Sequence, residues 1–294
     1  MTTRRNFLKN TTMLAAGLGV SPLLSSSPLR SYQKEEVING KVRIAVIGVG
    51  MGCRDLQGAL TDNPWVHCVG MCDVNKVRLE EQLARFKKDF PEQTVSIKAY
   101  TDFREVLANK EIDGVIIATP DHWHPYIFAE ALKAGKAIYV EKPVGNSISE
   151  CNAMMDFQKK YKGVVTTGLW QTSQRYFRAA NEILKSGVLG DVYKVQLWLC
   201  QSTNPRPSVE DSEAPSTLDY DMWLGPAPER PFNNSRFRGW RGFWDYGGGQ
   251  QTDWGVHWID SAFDGLKALG LCDREYPDAV FSIAYKDPAL SLIH

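Results

Sequence analysis

Six short apolar runs divide residues 41–169 of this 294-residue chain, and an amphipathic stretch of helical character follows each of them. The first run, KVRIAVIGVG, is rich in β-branched residues and ends in glycines, which is typical of a buried parallel strand followed by a tight turn. The predicted strands span 41–50, 66–73, 96–102, 113–120, 137–143 and 163–169. Strands and helices that alternate in this way predict an α/β fold with a doubly wound parallel sheet.

The pattern changes after Trp170. A predicted helix spans 176–187, an alternating strand spans 192–201, and a stretch rich in Pro, Ser and Asp follows at about 203–217. Seven of the nine tryptophans lie at or beyond residue 170, so the two halves also differ in composition. We therefore predict an N-terminal domain over 38–169 and a second, α+β domain over 170–294.

Residues 1–35 are predicted to be a targeting segment that takes no part in the fold. Arg4 and Arg5 are followed by a short apolar run rich in Ala and Gly, and then by a Ser/Pro-rich stretch. This order is typical of a secretory signal, and the paired arginines with the following FLK resemble a twin-arginine signal. We expect an exported, periplasmic protein. The alternatives are an ordinary secretory signal or a basic N-terminal arm, and without a used signal the protein would be cytoplasmic.

Charge and composition argue against several partners. Net charge is zero, with 34 basic and 34 acidic residues, whereas binding to nucleic acid or to an anionic membrane needs a basic excess. The N-terminal apolar run is too short and too rich in glycine to span a bilayer. The cysteines lack zinc spacing, and His122 and His124 lack an evident third ligand, so we predict no metal site.

The turn after the first predicted strand carries a glycine pattern suited to phosphate. In GVGMGC, Gly48 and Gly50 match the first two glycines of the dinucleotide fingerprint, and the second lets the backbone approach a pyrophosphate. Cys53 stands at the third position, where a small residue is tolerable because that glycine serves helix–strand packing. The next helix N-terminus supplies backbone donors. Gly48, Gly50, Met51 and Gly52 are therefore predicted to contact a cofactor.

Asp73 strengthens this interpretation. It ends the second predicted strand, just over twenty residues beyond the glycines, where a carboxylate binds the ribose hydroxyls of NAD. A 2′-phosphate would face a like charge there, so NAD is favoured and NADP is less favoured, although Lys76 and Arg78 lie nearby. A purely structural role for Asp73, as the cap of the next helix, is the alternative.

The fourth predicted strand ends in ATPDHWHP, at the edge of the sheet where α/β folds bind ligands. Thr119, Pro120 and His124 are therefore candidate cofactor contacts. Histidines at a helix start can lie near a nicotinamide, or they can simply cap and pack. Both interpretations stay open for His124.

The fifth predicted strand ends in VEKP, which directs Glu141 and Lys142 towards the same crevice. Beside a positively charged cofactor the pKa of Lys142 would fall, and the side chain would be able to relay protons. Spacing alone does not exclude an ordinary surface lysine.

Three consecutive glycines precede a second candidate pair. In YGGGQQTDWGVHWID, which runs from Tyr246 to Asp260, Asp253 and His257 are four residues apart. A helix over this stretch would place both side chains on one face. The glycines let the backbone pass close to a ligand, and closeness to a ligand would also explain the helix-destabilising Gly255.

In six motifs, in the same order, the chain resembles the glucose–fructose oxidoreductase/inositol dehydrogenase (Gfo/Idh/MocA) family, over about residues 41–285. The motifs are GVGMGCRD, CDVNK, ATPDHWHP, AGKAIYVEKPVG, GVLGDV and GGGQQTDWGVHWID. The resemblance implies a Rossmann domain followed by an α/β domain whose open, mainly antiparallel sheet supports homo-oligomers. It also implies that Lys142, Asp253 and His257 are catalytic or contact substrate.

Two features depart from the family pattern. An arginine that often follows the sixth strand is replaced by Thr172 or displaced to Arg175, so its role is not transferred. Relatives with an exported, Trp-rich form usually run well beyond residue 294, and the predicted strand AVFSIAY is followed only by KDPALSLIH. We therefore expect a C-terminally truncated chain whose second sheet has an exposed edge.

The resemblance implies an NAD-dependent oxidoreductase that acts on a sugar, polyol or glycoside hydroxyl. Two alternatives stay open: an NAD-using glycosidase or epimerase with a redox-neutral net reaction, and a non-catalytic sugar-binding protein that retains a nucleotide. One or two tryptophans of the second domain are expected to face the sugar, although most aromatic rings serve packing. The candidates are Trp170, Trp223, Trp240, Trp244 and Trp258.

Overall fold

The computed structural model describes residues 41–50, 63, 65–91, 97–198 and 209–272. Six parallel strands form one sheet in the order β3-β2-β1-β4-β5-β6. The strands are β1 (Val42–Ile47), β2 (Val66–Cys72), β3 (Lys98–Tyr100), β4 (Gly114–Ile117), β5 (Ala137–Val140) and β6 (Val165–Thr167). This order reverses direction between β1 and β4, so the predicted doubly wound sheet is confirmed and its switch point lies between those two strands.

Within the described ranges, four helices accompany the sheet, and their ends follow from local capping. They are α1 (Lys76–Asp89), α2 (Phe103–Ala108), α3 (His124–Lys133) and α4 (Ile148–Tyr161). Asn75 and Asp102 cap α1 and α2 through side-chain oxygens that accept backbone N–H groups. Ser147 and Glu150 form a capping box at the start of α4, in which each side chain accepts a backbone N–H of the other residue.

The β strands divide the hydrophobic core into two layers. One layer holds Val46, Met71 and Phe86 against α1, and the other packs Ile117, Ile127 and further side chains against α3 and α4. Because β1 and β4 carry buried apolar side chains on both faces, they contribute to both layers. The carboxyl ends of the parallel strands present the loops that follow them to one edge of the sheet.

The second half is helical where it is described. Its helices are α5 (Arg175–Lys185), α6 (Tyr220–Leu224), α7 (Asn234–Arg238), α8 (Gly249–Asp253) and α9 (Gly255–Ala268). Residues 192–198, predicted as a strand, form no regular element, and residues 199–208 lie outside the described ranges. No strand follows β6 in the described ranges, so the expected antiparallel sheet stays a prediction. The predicted strand AVFSIAY also lies outside them.

An aromatic cluster joins the second half to the sheet edge. Leu218, Trp223, Phe232 and Tyr246 form its buried centre. The backbone oxygen of Trp223 accepts hydrogen bonds from His122 Nε2 at 3.0 Å and from the Trp123 indole at 3.0 Å. These contacts hold the second half over the carboxyl ends of β4 and β5.

Within the ranges that the structure describes, no helix is long and apolar enough to cross a membrane.

Candidate active site

The glycine turn at the switch point leaves no room for a side chain. Gly48 has φ of +90°, and a Cβ there would lie 2.6 Å from the Ala118 carbonyl carbon and oxygen and 2.7 Å from Thr119 N. Only glycine tolerates both the conformation and the contact. Gly50 lies beside the Arg78 guanidinium. The predicted contacts Met51 and Gly52 lie outside the described residues.

Asp73 sits directly under this turn. Its carboxylate accepts hydrogen bonds from Val49 N at 3.0 Å and from Asn75 N at 2.9 Å, and the residue is 8% exposed. Burial raises the pKa of Asp73, while these backbone donors and Arg78 act in the opposite direction. Each carboxylate oxygen has a second lone pair for a further donor.

The loop after β4 places its predicted residues in different roles. Thr119 lies against Gly48 and carries a buried hydroxyl without a hydrogen-bond partner, and Pro120 precedes a short 3₁₀ turn. His124 is 1% exposed, with Nδ1 2.7 Å from Pro143 O and Nε2 2.9 Å from Thr119 O. Both ring nitrogens therefore face backbone carbonyls. The ring packs between the two loops, as the structural interpretation expects, and its cofactor contact stays a prediction.

Glu141 turns towards the end of β6. Its Oε1 accepts a hydrogen bond from the Tyr139 hydroxyl at 3.3 Å, and Oε2 accepts one from Lys142 N at 3.2 Å. A Cβ at Gly168 would lie 2.6 Å from the Glu141 carboxylate. Burial raises the pKa of Glu141, and those two donors partly offset the rise. The side chain therefore lies inside the crevice and not in bulk solvent.

Lys142 and Asp253 meet across the two halves of the molecule. Lys142 Nζ donates to Asp253 Oδ1 at 2.5 Å and to Asp253 O at 2.7 Å. The side chains are 14% and 13% exposed, so water screens the pair poorly. Arg241 Nε donates to the same Oδ1 at 3.2 Å. The predicted catalytic lysine and acid are thus in direct contact.

His257 lies in the first turn of α9. The residue is 2% exposed, its Nδ1 lacks a hydrogen-bond partner, and Trp170 and Trp254 pack against the ring with centroids at 5.6 and 5.9 Å. Burial and the nearby Lys142 ammonium lower the pKa of His257 to about 4, against the opposing effect of Asp253. The ring is therefore neutral, and able to accept a proton, across physiological pH.

The helix predicted across this pair is interrupted. Asp253 ends α8, Trp254 forms the junction, and Gly255 begins α9. Gly255 therefore does not occupy a helix interior, where glycine is most destabilising. Among the described residues, a Cβ there would meet only Gln251 Cγ, at 3.9 Å, and the predicted closeness of Gly255 to a ligand stays a prediction.

Asp121 is a buried acid that sequence reasoning missed. It is 2% exposed, and a Cβ at Gly247 would lie 3.2 Å from its Oδ2 and 3.1 Å from Arg241 Cα. Burial raises the pKa of Asp121 to about 8, with Asp253 adding to the rise and Arg241 and Lys142 opposing it. The first of the three glycines therefore makes room for a buried acid and a backbone turn.

Sequence comparison assigns this architecture to a family. Residues 42–169 match the oxidoreductase family with an NAD-binding Rossmann fold, and residues 178–267 match the C-terminal alpha/beta domain of the same family. The chain belongs to the Gfo/Idh/MocA family. Its domain boundaries in detail, 1–35, 38–169 and 170–294, stay predictions.

Curated relatives of the Gfo/Idh/MocA chain differ in their named activities. An alpha-N-acetylgalactosaminidase of Tannerella forsythia is 33% identical over 163 residues, which cover 51% of this chain and 34% of the relative. An inositol 2-dehydrogenase of Salmonella typhimurium is 24% identical over 151 residues, which cover 51% and 43%. The matches therefore span less than half the length of these relatives.

A solved structure shares the fold over both halves. The WlbA dehydrogenase from Bordetella pertussis, in complex with NADH and UDP-GlcNAcA, superposes with a TM-score of 0.54 at 19% identity. The superposition covers 75% of this chain and 58% of that one. At this identity the likeness concerns the fold alone.

The switch-point residues of the Gfo/Idh/MocA chain fit NAD. The glycine turn brings backbone close to the sheet edge, the Thr119 hydroxyl has no partner among the described residues, and the Asp73 carboxylate has capacity for ribose hydroxyl donors. A 2′-phosphate would meet the Asp73 charge. Within the described ranges, no group of three or more His, Cys, Asp or Glu side chains is placed to hold a metal ion.

The sequence signals for the missed residues were weak. Asp121 lies inside the quoted ATPDHWHP motif, but nothing in its spacing indicates burial. Arg241 lies in the aromatic segment before the glycines, and its 45% exposed side chain stacks over Trp240 at 4.2 Å from the ring centroid. Both residues become recognisable only when the second half folds over the sheet edge.

Proposed function

We propose that this protein is an NAD-dependent oxidoreductase that acts on a hydroxyl group of a sugar, polyol or glycoside. The observation that carries the proposal is the buried contact between Lys142 and Asp253, with neutral His257 beside it and the NAD fingerprint at the adjacent strand ends. Family membership supports an NAD-dependent reaction. The named relatives support a hydroxyl-rich substrate.

His257 is assigned as the base that takes the proton of the substrate hydroxyl. When bound, NAD supplies the hydride acceptor and donor. The lowered pKa of His257 keeps the ring unprotonated, and its Nδ1 makes no hydrogen bond to the described part of the chain. A positioned base of this kind contributes about 10²–10⁴-fold in rate.

Lys142 is assigned as the group that stabilises charge on the reacting oxygen. Its ammonium has three N–H donors, and Asp253 occupies two of them through Oδ1 and its backbone oxygen. The third is available for the substrate oxygen. Asp253 fixes the direction of the ammonium, and Arg241 adds a second positive charge beside the same carboxylate.

Asp121 adjusts the charge of this cluster. With a pKa of about 8, its carboxyl is mostly protonated at neutral pH. Protonation of Asp121 removes one negative charge from beside Lys142 and Arg241. The loss of that charge favours a substrate oxygen that develops negative charge.

Cofactor retention is the first test of the proposal. Purified protein is denatured, the released nucleotide is identified, and native protein is then mixed with a panel of sugars and polyols. We expect released NAD or NADH, and a change in nicotinamide absorbance with at least one sugar. Protein that contains no nucleotide and binds none when NAD is added would instead favour the non-catalytic sugar-binding alternative.

A redox-neutral glycosidase is the second candidate function. The relative at 33% identity carries the name alpha-N-acetylgalactosaminidase, which is the observation that favours it. Product analysis separates the two functions. Net cleavage of an aryl glycoside without accumulation of reduced nicotinamide indicates the glycosidase, whereas accumulation of reduced nicotinamide with an intact glycoside indicates the dehydrogenase.

We also propose export of the folded protein through the paired arginines Arg4 and Arg5. Their place before a short apolar run supports this proposal. Cell fractionation of the natural host, with the wild type and an Arg4→Lys/Arg5→Lys variant, provides the test. Equal distribution of both proteins in the cytoplasm would contradict export. Homo-oligomer formation likewise stays a proposal, to be measured by sedimentation.

A further inference from the structure

A cavity of about 230 Å³ is lined by the segments that follow β4 and β5 and by the second half. His122 adjoins Asp121 in the chain, and Asn146 follows Lys142 by four residues, so the cavity draws on the same two segments as the candidate active site. It has both polar and apolar walls. The lining residues are His122, Asn146, Glu150, Pro226, Ala227, Pro228, Trp244 and Asp245.

Two lining residues carry buried acceptor atoms without partners. His122 is 6% exposed, and its Nε2 lies 3.0 Å from Trp223 O. Because a carbonyl oxygen only accepts, Nε2 carries the proton and Nδ1 is an acceptor, which has no partner. Asn146 Oδ1 is a second buried acceptor without a partner. Buried polar atoms of folded proteins are nearly always hydrogen-bonded, so both atoms call for a donor.

The two carboxylates of the cavity are acceptors as well. Glu150 Oε2 accepts from Asn146 N at 2.7 Å and from Ser147 N at 2.9 Å, and Asp245 pairs with Arg230 at 2.5 Å. These carboxylates are already bonded, yet their oxygens keep further lone pairs. A ligand that fits this wall must therefore be rich in donors, and hydroxyl groups meet that requirement.

Trp244 supplies an apolar wall at the same place. Its indole is 62% exposed, and Pro226 and Pro228 line the cavity with it. An exposed aromatic face beside hydrogen-bond acceptors suits a saturated ring whose C–H face is apolar and whose edge bears hydroxyls. The volume lies below the roughly 300–1,000 Å³ typical of sites for drug-sized ligands, so it suits a single sugar ring.

We propose that this cavity binds a second sugar ring of the substrate, so that the protein acts on a glycoside and not on a free monosaccharide or polyol. The inference rests on the proposed function, because it places the reacting ring at Lys142 and the neighbouring ring against Trp244. His122 Nδ1 and Asn146 Oδ1 accept hydrogen bonds from hydroxyls of the neighbouring ring.

The test compares disaccharides with their constituent monosaccharides on NAD-loaded protein. Binding is measured by calorimetry and turnover by nicotinamide absorbance. Wild type is expected to bind its best disaccharide at least fivefold more tightly than either monosaccharide. Trp244→Ala is expected to weaken disaccharide binding about tenfold, in line with the loss of an aromatic contact, and to leave monosaccharide binding unchanged. Trp244→Phe, which keeps an aromatic face, is expected to retain most of the preference.

Trp198→Ala is the matched control, because Trp198 is 68% exposed and does not line the cavity. A wild type without disaccharide preference, or a preference that Trp244→Ala leaves intact, overturns the assignment. Self-association that Trp244→Ala abolishes, with sugar binding unchanged, overturns it too and identifies an interface with a second copy. Trp244-dependent disaccharide binding without any change in nicotinamide absorbance supports the cavity assignment while contradicting the proposed oxidoreductase.

Discussion

At the scale of single residues, burial lowers the pKa of His257, the proposed base. Its ring is packed between Trp170 and Trp254, and its pKa falls from an ordinary value near 6.5 to about 4. The folded state disfavours the imidazolium, so folding stability that depends on His257 is present above pH 6.5. It is lost as the pH falls from about 6.5 towards 4.

The activity of the protein should follow this pKa. We expect kcat/KM of the sugar-dependent reaction to stay constant from pH 7 down to about pH 5 and to fall on the acid side with an apparent pKa of about 4. A pH profile at constant ionic strength measures it. An acid limb centred near 6.5 would mean that the ring is solvated and that the proposed burial of the base is wrong.

Asp121 titrates in the opposite sense. Its pKa is raised to about 8, so the folded protein is most stable when Asp121 is protonated and loses that stability as the pH rises from about 4 through 8. Asp121→Asn removes the ionisable group. We expect the advantage of the variant over wild type in the free energy of unfolding to grow by more than about 1 kcal/mol, the energy of one pKa unit, between pH 5 and pH 9.

Urea unfolding at both pH values measures the effect of Asp121→Asn. Asp156→Asn is the control, because the Asp156 side chain is 78% exposed. A stability difference between Asp121→Asn and wild type that does not change with pH would contradict the raised pKa.

At the scale of elements, the strands were predictable because their signal is local. Apolar runs such as VRIAVI and GVII need two buried faces, and only a parallel sheet covered by helices provides them. The cap of α4 is equally local, since Ser147 and Glu150 satisfy each other. The break between α8 and α9 was missed, although Gly255 stands directly after Trp254, where a glycine commonly ends a helix. At the break, the backbone oxygen of Asp253 accepts a hydrogen bond from Lys142, a tertiary contact that spacing does not reveal.

Gly225 lies where the aromatic cluster packs against the Trp123 ring at the sheet edge. Its φ is +47°, and a Cβ there would overlap the Trp123 ring at 2.1 Å. Gly225→Ala is therefore expected to destabilise the protein by about 2–4 kcal/mol, through backbone strain and displacement of Trp123. Thermal and urea unfolding measure the loss.

Gly135→Ala is the matched control for Gly225→Ala. Gly135 has φ of +70° but no atom within 4 Å of an added Cβ, so only the strain of about 1 kcal/mol should remain. Equal losses for the two variants would show that Trp123 is not packed against Gly225.

At the scale of the whole molecule, the candidate site exists only because two halves meet. The cofactor residues lie at strand ends and were predictable from motifs. Asp253, Arg241 and Asp121 come together only through folding, so sequence spacing alone did not reveal Asp121 or Arg241. The resemblance to a family pointed to Asp253 without indicating that it contacts Lys142.

The contact between Lys142 and Asp253 should therefore contribute to stability as well as to chemistry. Lys142→Met leaves a poorly hydrated carboxylate and is expected to cost about 3 kcal/mol in the free energy of unfolding. The control Lys133→Met removes the exposed pair of Lys133 with Glu130 and should change stability by less than about 1 kcal/mol. If both substitutions lowered the free energy of unfolding by similar amounts in urea titrations, the pair of Lys142 with Asp253 would be solvent-exposed and not buried.

The central claim is that His257 takes the proton of the substrate hydroxyl and that Lys142 stabilises charge on the reacting oxygen, in a nicotinamide-dependent reaction. The most direct test is the single-turnover rate at which a reactive sugar changes the absorbance of protein-bound nicotinamide. Wild type is compared with Lys142→Met and His257→Gln, after nucleotide content confirms that each variant holds its cofactor. We expect each substitution to lower the rate by about 10²–10⁴-fold. A doubly substituted protein that reacts at the wild-type rate would contradict the account.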